Sequence, residues 1–342
     1  MNTLYNLRDI TFSVKADASV CAYERGGYSK EKRGSGPMKT PVIALTGANG
    51  NVGRYVIENL KGDLDIVALS VRGDGEHTDH VTWRACDVYS LSDIEAGIEG
   101  ADVAVYLMDS MLPKATLTQG SPNNLHMIAT DNFAKAAKNQ GVKHIIHCSN
   151  SIPLDVSELS EIEEVLRSYG TPVTTIRSSR IKKAMCTSFI KKAQTHQNDV
   201  RSVQRIPAPR GWTADDVALH YVRWLGEVLN PVVQTTTKEN HSCQIGLSFL
   251  KKPLIEMVYD EDQSTSDLAV YSIRRGLLVD TNRHQLARFE FRKIPRKPEC
   301  MAAIHDYVPS LPWPFYRMTQ AFAHRFIMAW FRFHMSKLTS YR

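Results

Sequence analysis

The sequence predicts an α/β protein: a doubly wound parallel sheet followed by a smaller C-terminal module of antiparallel strands and an amphipathic helix. Three observations predict it. Short apolar, often β-branched runs alternate with helical stretches between residues 42 and 177, the pattern of strands buried on both faces. A glycine-rich turn joins the first run to the first helix. Beyond about residue 266 the alternation gives way to successive strands with one wet face, then to one long helix.

Residues 1–38 mix Arg, Lys, Glu, Gly and Ser and end in Glu-Lys-Arg-Gly-Ser-Gly-Pro at 31–37, so they read as a flexible extension. Met38 stands where a chain start would be natural. Val42–Thr46 is the first strand, and Val56, Ile57 and Leu60 mark the buried face of the helix that follows. Asp65–Ser70 and Val81–Cys86 are the second and third strands. Leu91–Ile98 is a short helix with Ser92 as its capping candidate. Ala101–Leu107 is the fourth strand, Leu125–Asn139 a long helix ended by Gly141, Lys143–Ser149 the fifth strand and residues 172–177 the sixth.

The chemistry sits where the first strand turns into its helix. Gly47, Gly50 and Gly53 are spaced GxxGxxG within Gly47-Ala48-Asn49-Gly50-Asn51-Val52-Gly53. Gly47 permits the tight turn, Gly50 lets backbone approach a pyrophosphate, and Gly53 lets helix and strand pack closely. N–H groups of Asn49, Asn51 and Val52 then face the phosphates along the helix dipole. The unit therefore reads as a Rossmann-type dinucleotide site. About twenty residues on, an NAD-selective site places a carboxylate on the ribose. Here Ser70-Val71-Arg72 stands instead, and the Arg72 fork suits a 2′-phosphate, so NADP is the expected cofactor; Asp74 keeps NAD open. Asp87 and Val88, ending the third strand, are placed to meet the adenine. Leu107 opens the segment Met108–Ser110 expected beneath the cofactor.

Together TGANGNVG at 46–53, Val71-Arg72, Asp87-Val88, Cys148-Ser149, Pro172–Arg177 and Asp215-Asp216-Val217-Ala218 resemble atypical and extended short-chain dehydrogenase/reductases, most nearly the NmrA-like NAD(P)-binding branch. The resemblance runs over roughly residues 40–260. It implies a nicotinamide dinucleotide and a substrate lid over residues 184–212. That branch holds quinone reductases, redox-sensing regulators and members with no known reaction. The superfamily's proton-transfer pair is Tyr-x-x-x-Lys on the helix after the fifth strand. In this chain Leu154–Leu166 contains neither Tyr nor Lys, and Tyr169 has no Lys four residues on. Ser149 matches the family's active-site serine and is the one catalytic candidate, against a plain turn or cap role. His144 and His147 point to opposite strand faces and read as core or surface residues.

The strand-rich end is read as Leu268–Ile273, Gly276–Asp280, Gln285–Arg292 and Cys300–Tyr307. Its order resembles the closing half of a START-like hydrophobic-ligand fold, which implies an apolar ligand. In the terminal helix, 315–337, Phe315, Met318, Phe322, Phe326, Ala329 and Phe333 form one face, expected to cover the sheet. A protein contact or a membrane surface is the alternative role for that face. The domains are thus 1–38, 39–265 and 266–342.

Composition sets limits. Apolar residues make up 43% and charged residues 23%, a globular profile, and a net charge of +6 gathered toward the chain ends is no nucleic-acid footprint. Six scattered cysteines without a CxxC pair fit reduced thiols, not a zinc site, and with no apolar run of membrane-spanning length the expected location is cytoplasmic. Three readings follow: an NADP-dependent reductase of an apolar carbonyl or quinone, a non-catalytic NAD(P)-sensing regulator or assembly factor, and a lipid- or quinone-associated binding protein.

Overall fold

The computed structural model describes residues 11, 13–18, 40–107, 115–150, 156–178, 198–280 and 287–340. Met108–Ser110, residues 184–197 of the expected lid and Leu154–Asp155 lie outside them. The chain divides into two compact units, one built from residues up to 113 and 126–190, the other from residues 114–125 and 191 onward.

The first unit opens with a helix, α1, described over residues 13–18. Val14 and Ala18, one turn apart, are fully buried in the same core as Ile43, Leu45 and Val105, and Lys15 Nζ lies 2.5 Å from Asp63. That stretch of the extension expected to be flexible is therefore folded. Its short apolar stripe is hidden in sequence by the polar, Gly-rich residues around it.

There follow β1 (Val42–Leu45), α2 (Asn51–Leu60), β2 (Asp65–Ser70), β3 (Val81–Ala85), α3 (Leu91–Ile98) and β4 (Val103–Tyr106). After β5 (Leu117–Gln119) come α4 (Pro122–Asn139), β6 (His144–Asn150), α5 (Val156–Arg167) and β7 (Val173–Ser178). Six of these strands make one parallel sheet in the order β3-β2-β1-β4-β6-β7. Leu45 pairs with Ala68 on one side and Val105 on the other. The winding reverses between β1 and β4, and the crevice beyond the carboxyl ends of strands at such a switch point is where α/β sheets bind ligands. Helix α2 buries Val56, Ile57 and Leu60, the face its spacing predicts. Ser90, not Ser92, caps α3 by accepting the Asp93 N–H at 3.3 Å.

The second unit is a sheet of eight strands in the order β5-β8-β14-β13-β12-β11-β10-β9. Its members are β8 (Val200–Pro207), β9 (Val233–Thr237), β10 (Cys243–Leu247), β11 (Ile255–Tyr259), β12 (Leu268–Arg275), β13 (Ala287–Lys293) and β14 (Glu299–Tyr307), with β5 parallel to β8 and the other pairs antiparallel. The boundary expected at 266 is thus too late. Residues 200–207, read as part of a lid, form a strand whose Gln204 pairs with Ala302 of β14. Arg201 and Arg205 obscure its apolar positions Val200, Val203 and Ile206 in sequence. Gly276–Asp280, expected as a strand, is a turn with a single bridge from Val279 to Pro309.

One face of this sheet carries Phe289, Phe291, Cys300 and Ala302, packed with α6 (Ala214–Val228) through Val217, Tyr221, Trp224 and Leu225. A reciprocal capping box between Thr213 and Asp216 starts α6. Alternate residues place a buried ionic cluster on the other face. Glu290 lies 3.1 Å from the Arg292 guanidinium, and Arg288 reaches Asp306 at 3.4 Å. His305 accepts from Arg201 Nε at 3.2 Å; burial first, then the surrounding guanidinium groups, hold it well below the ordinary histidine range.

The chain ends in α7 (Trp313–Met318) and α8 (Gln320–Ser340). The face that α8 buries is Ala321, Met328, Phe331 and Met335. Phe331 meets Tyr221 edge-on at 5.0 Å. The face expected to cover the sheet is the solvent face instead: Phe315, Met318, Phe322, Phe326 and Phe333 are all exposed. Two apolar stripes share this segment, and side-chain size favours the wrong one.

Candidate functional site

The site is built at the end of β1. Thr46, buried, donates its N–H to Val105 O at 3.0 Å, and its hydroxyl accepts the Leu107 N–H at 3.1 Å. This clamp joins the ends of β1 and β4 and fixes the turn that leaves them. Gly47 adopts φ +65°, the left-handed region that glycine tolerates, and a Cβ there would stand 2.8 Å from Leu107 O. Gly50 N–H donates to Gly47 O at 2.9 Å, closing the turn. Gly53 begins the close packing of α2, since a Cβ there would meet Gly47 O at 2.4 Å and Ala48 Cα at 2.7 Å. Sequence reasoning assigned these three glycine roles but missed Thr46, whose only signal is a hydroxyl at a buried strand end.

The first turn of α2 has no side-chain cap and no acidic residue. The N–H groups of Asn51 and Val52 within it, with that of Asn49 just before it, keep their donor capacity for an anion, and the helix dipole favours one. The glycine backbone leaves the approach free of side chains. A pyrophosphate fits this donor set.

Arg72 lies beyond the end of β2 and is well exposed, with its Nε 2.9 Å from Asp74 Oδ2. The turn that carries it is held by Gly73, at φ +63°, whose N–H donates to Ser70 Oγ at 3.0 Å. The guanidinium is thus displayed beside a carboxylate on a fixed turn. Asp87 turns its carboxylate inward to accept the Tyr89 N–H at 3.0 Å, and Val88 is buried with its carbonyl accepting from Asn132 Nδ2 at 3.1 Å. Asn132 lies in the middle of α4, and no pattern in the sequence signals this support. Leu107 is buried against Gly47.

The groups that could move a proton are placed differently. Ser149 is buried near the carboxyl end of β6, in register with Arg177. His144 shares a hydrogen bond of 2.8 Å with Thr174 Oγ1. His147 is buried, its ring 5.8 Å from that of Tyr106. Tyr106 itself bonds to Thr130 at 2.9 Å, and burial drives its phenol far above the usual tyrosine range. Tyr169 donates to Asp131 at 2.5 Å, and Asp131 also holds Lys135 at 3.2 Å. That Tyr–Asp–Lys cluster joins α4 to the chain leaving α5. It lies toward the amino ends of the strands, the edge opposite the phosphate turn, so it serves packing there. Among the described cysteines, Cys86, Cys148, Cys243 and Cys300 are buried, and burial pushes the Cys86 and Cys300 thiols up to about 12. No group of three or more candidate metal ligands occurs among the described residues.

Comparison with known proteins supports an NAD(P)-binding unit. The family model for NAD(P)H-binding proteins matches residues 47–205. A curated relative, the auxiliary protein GraX of Staphylococcus aureus, is 30% identical over 283 residues, covering 82% of this chain and 89% of the relative. Among solved structures, the triphenylmethane reductase of Citrobacter sp. complexed with NADP(H) is 26% identical, with 40% of this chain covering 48% of that one at a TM-score of 0.32. A Rossmann-fold NAD(P)-binding family protein from Shigella flexneri is 16% identical, with 41% of this chain covering 67% of that one at 0.33. The chain spans about half the length of the reductase and about two thirds of the other.

Proposed function

The chain belongs to the NmrA-like, NAD(P)-binding branch of the atypical short-chain dehydrogenase/reductases, and from that premise we propose that it acts as an auxiliary protein governed by a bound nicotinamide dinucleotide, with NADPH preferred. One observation carries the reading: a complete phosphate-binding turn is followed by an acidic helix segment, Leu154–Leu166, that holds neither the Tyr nor the Lys of the family's proton-transfer pair. A chain that keeps the binding half of the machinery without the proton-moving half is suited to sensing the dinucleotide. The name of the curated relative, an auxiliary protein, supports the same reading. Gly47, Gly50 and Gly53 would seat the pyrophosphate against the start of α2. Arg72 would exchange Asp74 for the 2′-phosphate, the step that favours NADPH over NADH. Asp87 and Val88 would border the adenine.

The test pairs binding with turnover on the same preparation of the full chain. NADPH should bind with a stoichiometry near one. Its oxidation with a panel of quinones, aldehydes and ketones should run no faster than in protein-free controls. Saturable oxidation that disappears in Gly50→Asp would overturn the proposal and establish a reductase.

A further inference from the structure

We propose that the solvent face of the two C-terminal helices is a docking surface for an anionic lipid bilayer, on which the protein lies without crossing it. The inference is independent of the proposed dinucleotide response. Phe322, Phe326, Trp330 and Phe333 form one stripe along α8, and Phe315 and Met318 extend it onto α7. Their exposures run from 39% at Trp330 to 79% at Met318. At about 3.6 residues per turn this stripe is nearly opposite Ala321, Met328, Phe331 and Met335, which the fold already buries. Burying the aromatic stripe is therefore not needed to hold α8 in place. Six large apolar side chains side by side form a continuous exposed patch of the kind that marks an interaction site.

The charges around the stripe choose its occupant. From Val308 to Arg342 the sequence contains no Asp or Glu, but it contains Arg317, Arg325, Arg332, Lys337 and Arg342. Arg325 and Arg332 flank the aromatic stripe on one side of α8, and Lys337 stands in line with it at its C-terminal end, its Nζ 4.4 Å from the Phe333 ring centroid. A basic edge beside a stripe of aromatic side chains is the composition of helices that sink their apolar face to the headgroup level of negatively charged membranes, the long cationic side chains reaching up to phosphates. A second copy of the chain fits poorly. Face-to-face pairing would bring arginines of the two copies together with no carboxylate on this segment to neutralise them. No described helix is long and apolar enough to cross a membrane, so the contact is a peripheral one.

The experiment is co-sedimentation of the full chain with vesicles of phosphatidylcholine alone and of phosphatidylcholine mixed with phosphatidylglycerol. The account expects at least about a tenfold preference for the anionic vesicles, weakened at about 0.5 M salt. The triple replacement Phe322→Ser, Phe326→Ser and Phe333→Ser should lower anionic binding about tenfold or more, with an unchanged melting temperature because none of the three is buried. Arg325→Gln with Arg332→Gln should do so too, and this pair keeps the test decisive if the triple variant folds poorly. Protein left in the supernatant with both vesicle types overturns the proposal, as does binding indifferent to both variants. A concentration-dependent dimer that the Phe variants dissociate, without lipid binding, would assign the face to a second copy.

Discussion

Gly53→Ala sets two effects against each other. Position 53 is helical, so by propensity alone alanine stabilises α2 by about 1 kcal/mol. The site geometry opposes it. The new Cβ would stand 2.4 Å from Gly47 O and 2.7 Å from Ala48 Cα, and since real Cβ contacts do not fall below 3.0 Å, the turn must retreat by more than half an ångström. Its neighbours are backbone and cannot rotate away. A Cβ added at Gly47 would stand only 2.8 Å from Leu107 O, so the turn has little room to slide toward β4. Overpacking of this kind costs about 1–3 kcal/mol, which leaves a net loss of roughly 0–2 kcal/mol after the helix gain. At about 2–4 °C per kcal/mol for a unit of this size, the melting temperature falls by at most about 8 °C.

Dinucleotide binding should suffer more. The displaced N–H groups are those proposed to hold the pyrophosphate, and one lost hydrogen bond to a charged group is about 1.5–3 kcal/mol, tenfold or more in Kd. Scanning calorimetry and NADPH titration of the same samples measure both quantities. Gly62→Ala is the control: it is strained at φ +95° but has nothing within 4 Å, so it lowers stability by about 1 kcal/mol and leaves binding alone. A Gly53→Ala protein that melts no lower than wild type and binds NADPH equally well would refute the close-packing account of the turn.

The second unit gives three further tests. Phe331→Ala removes a fully buried ring and should cost about 3–5 kcal/mol, whereas Phe326→Ala on the opposite face should stay within about 0.5 kcal/mol; urea unfolding compares them. Glu290→Gln leaves the buried Arg292 guanidinium without its carboxylate and should lower stability by about 3 kcal/mol in the same assay. Glu256 is hydrogen-bonded by Arg275, which holds its carboxyl down to about 2 from an ordinary 4.5, with Gln244 adding at 3.1 Å. A depressed carboxyl stabilises fully above its unfolded value, so this contribution is lost as pH falls from about 4.5 toward 2. Glu256→Gln should flatten that part of the stability–pH curve, and an unchanged acid limb would refute the assignment.

The first sheet was legible because its strands are short, apolar on both faces and separated by strong helix signals. Val42–Thr46 before the glycine turn, and Val56, Ile57 and Leu60 after it, leave few other ways to fold. The glycine turn was legible for the same reason, as its spacing has a backbone cause. The clamp by Thr46 and the support from Asn132 were not, because a lone hydroxyl or amide carries no periodic signal.

The second sheet was half legible. Strands β12, β13 and β14 alternate visibly, but β8 carries Arg201 and Arg205 inside a buried strand, and β9 to β11 are short and polar-faced. Their places depend on long-range pairing, such as Gln204 with Ala302, that no local window contains. The inverted reading of α8 has a physical origin as well. Phenylalanines dominate one stripe by size, while the buried stripe mixes Ala321, two methionines and Phe331. Only the shape of the sheet beneath decides between them.

Calorimetric titration of the full chain with NADPH, NADP, NADH and NAD, repeated on Arg72→Ala, tests the central claim most directly. The account predicts one site, tighter for the phosphorylated pair, with a loss of about tenfold for NADPH on removing Arg72 and little change for NADH. Heat from none of the four dinucleotides, with the protein folded by its melting curve, would contradict it.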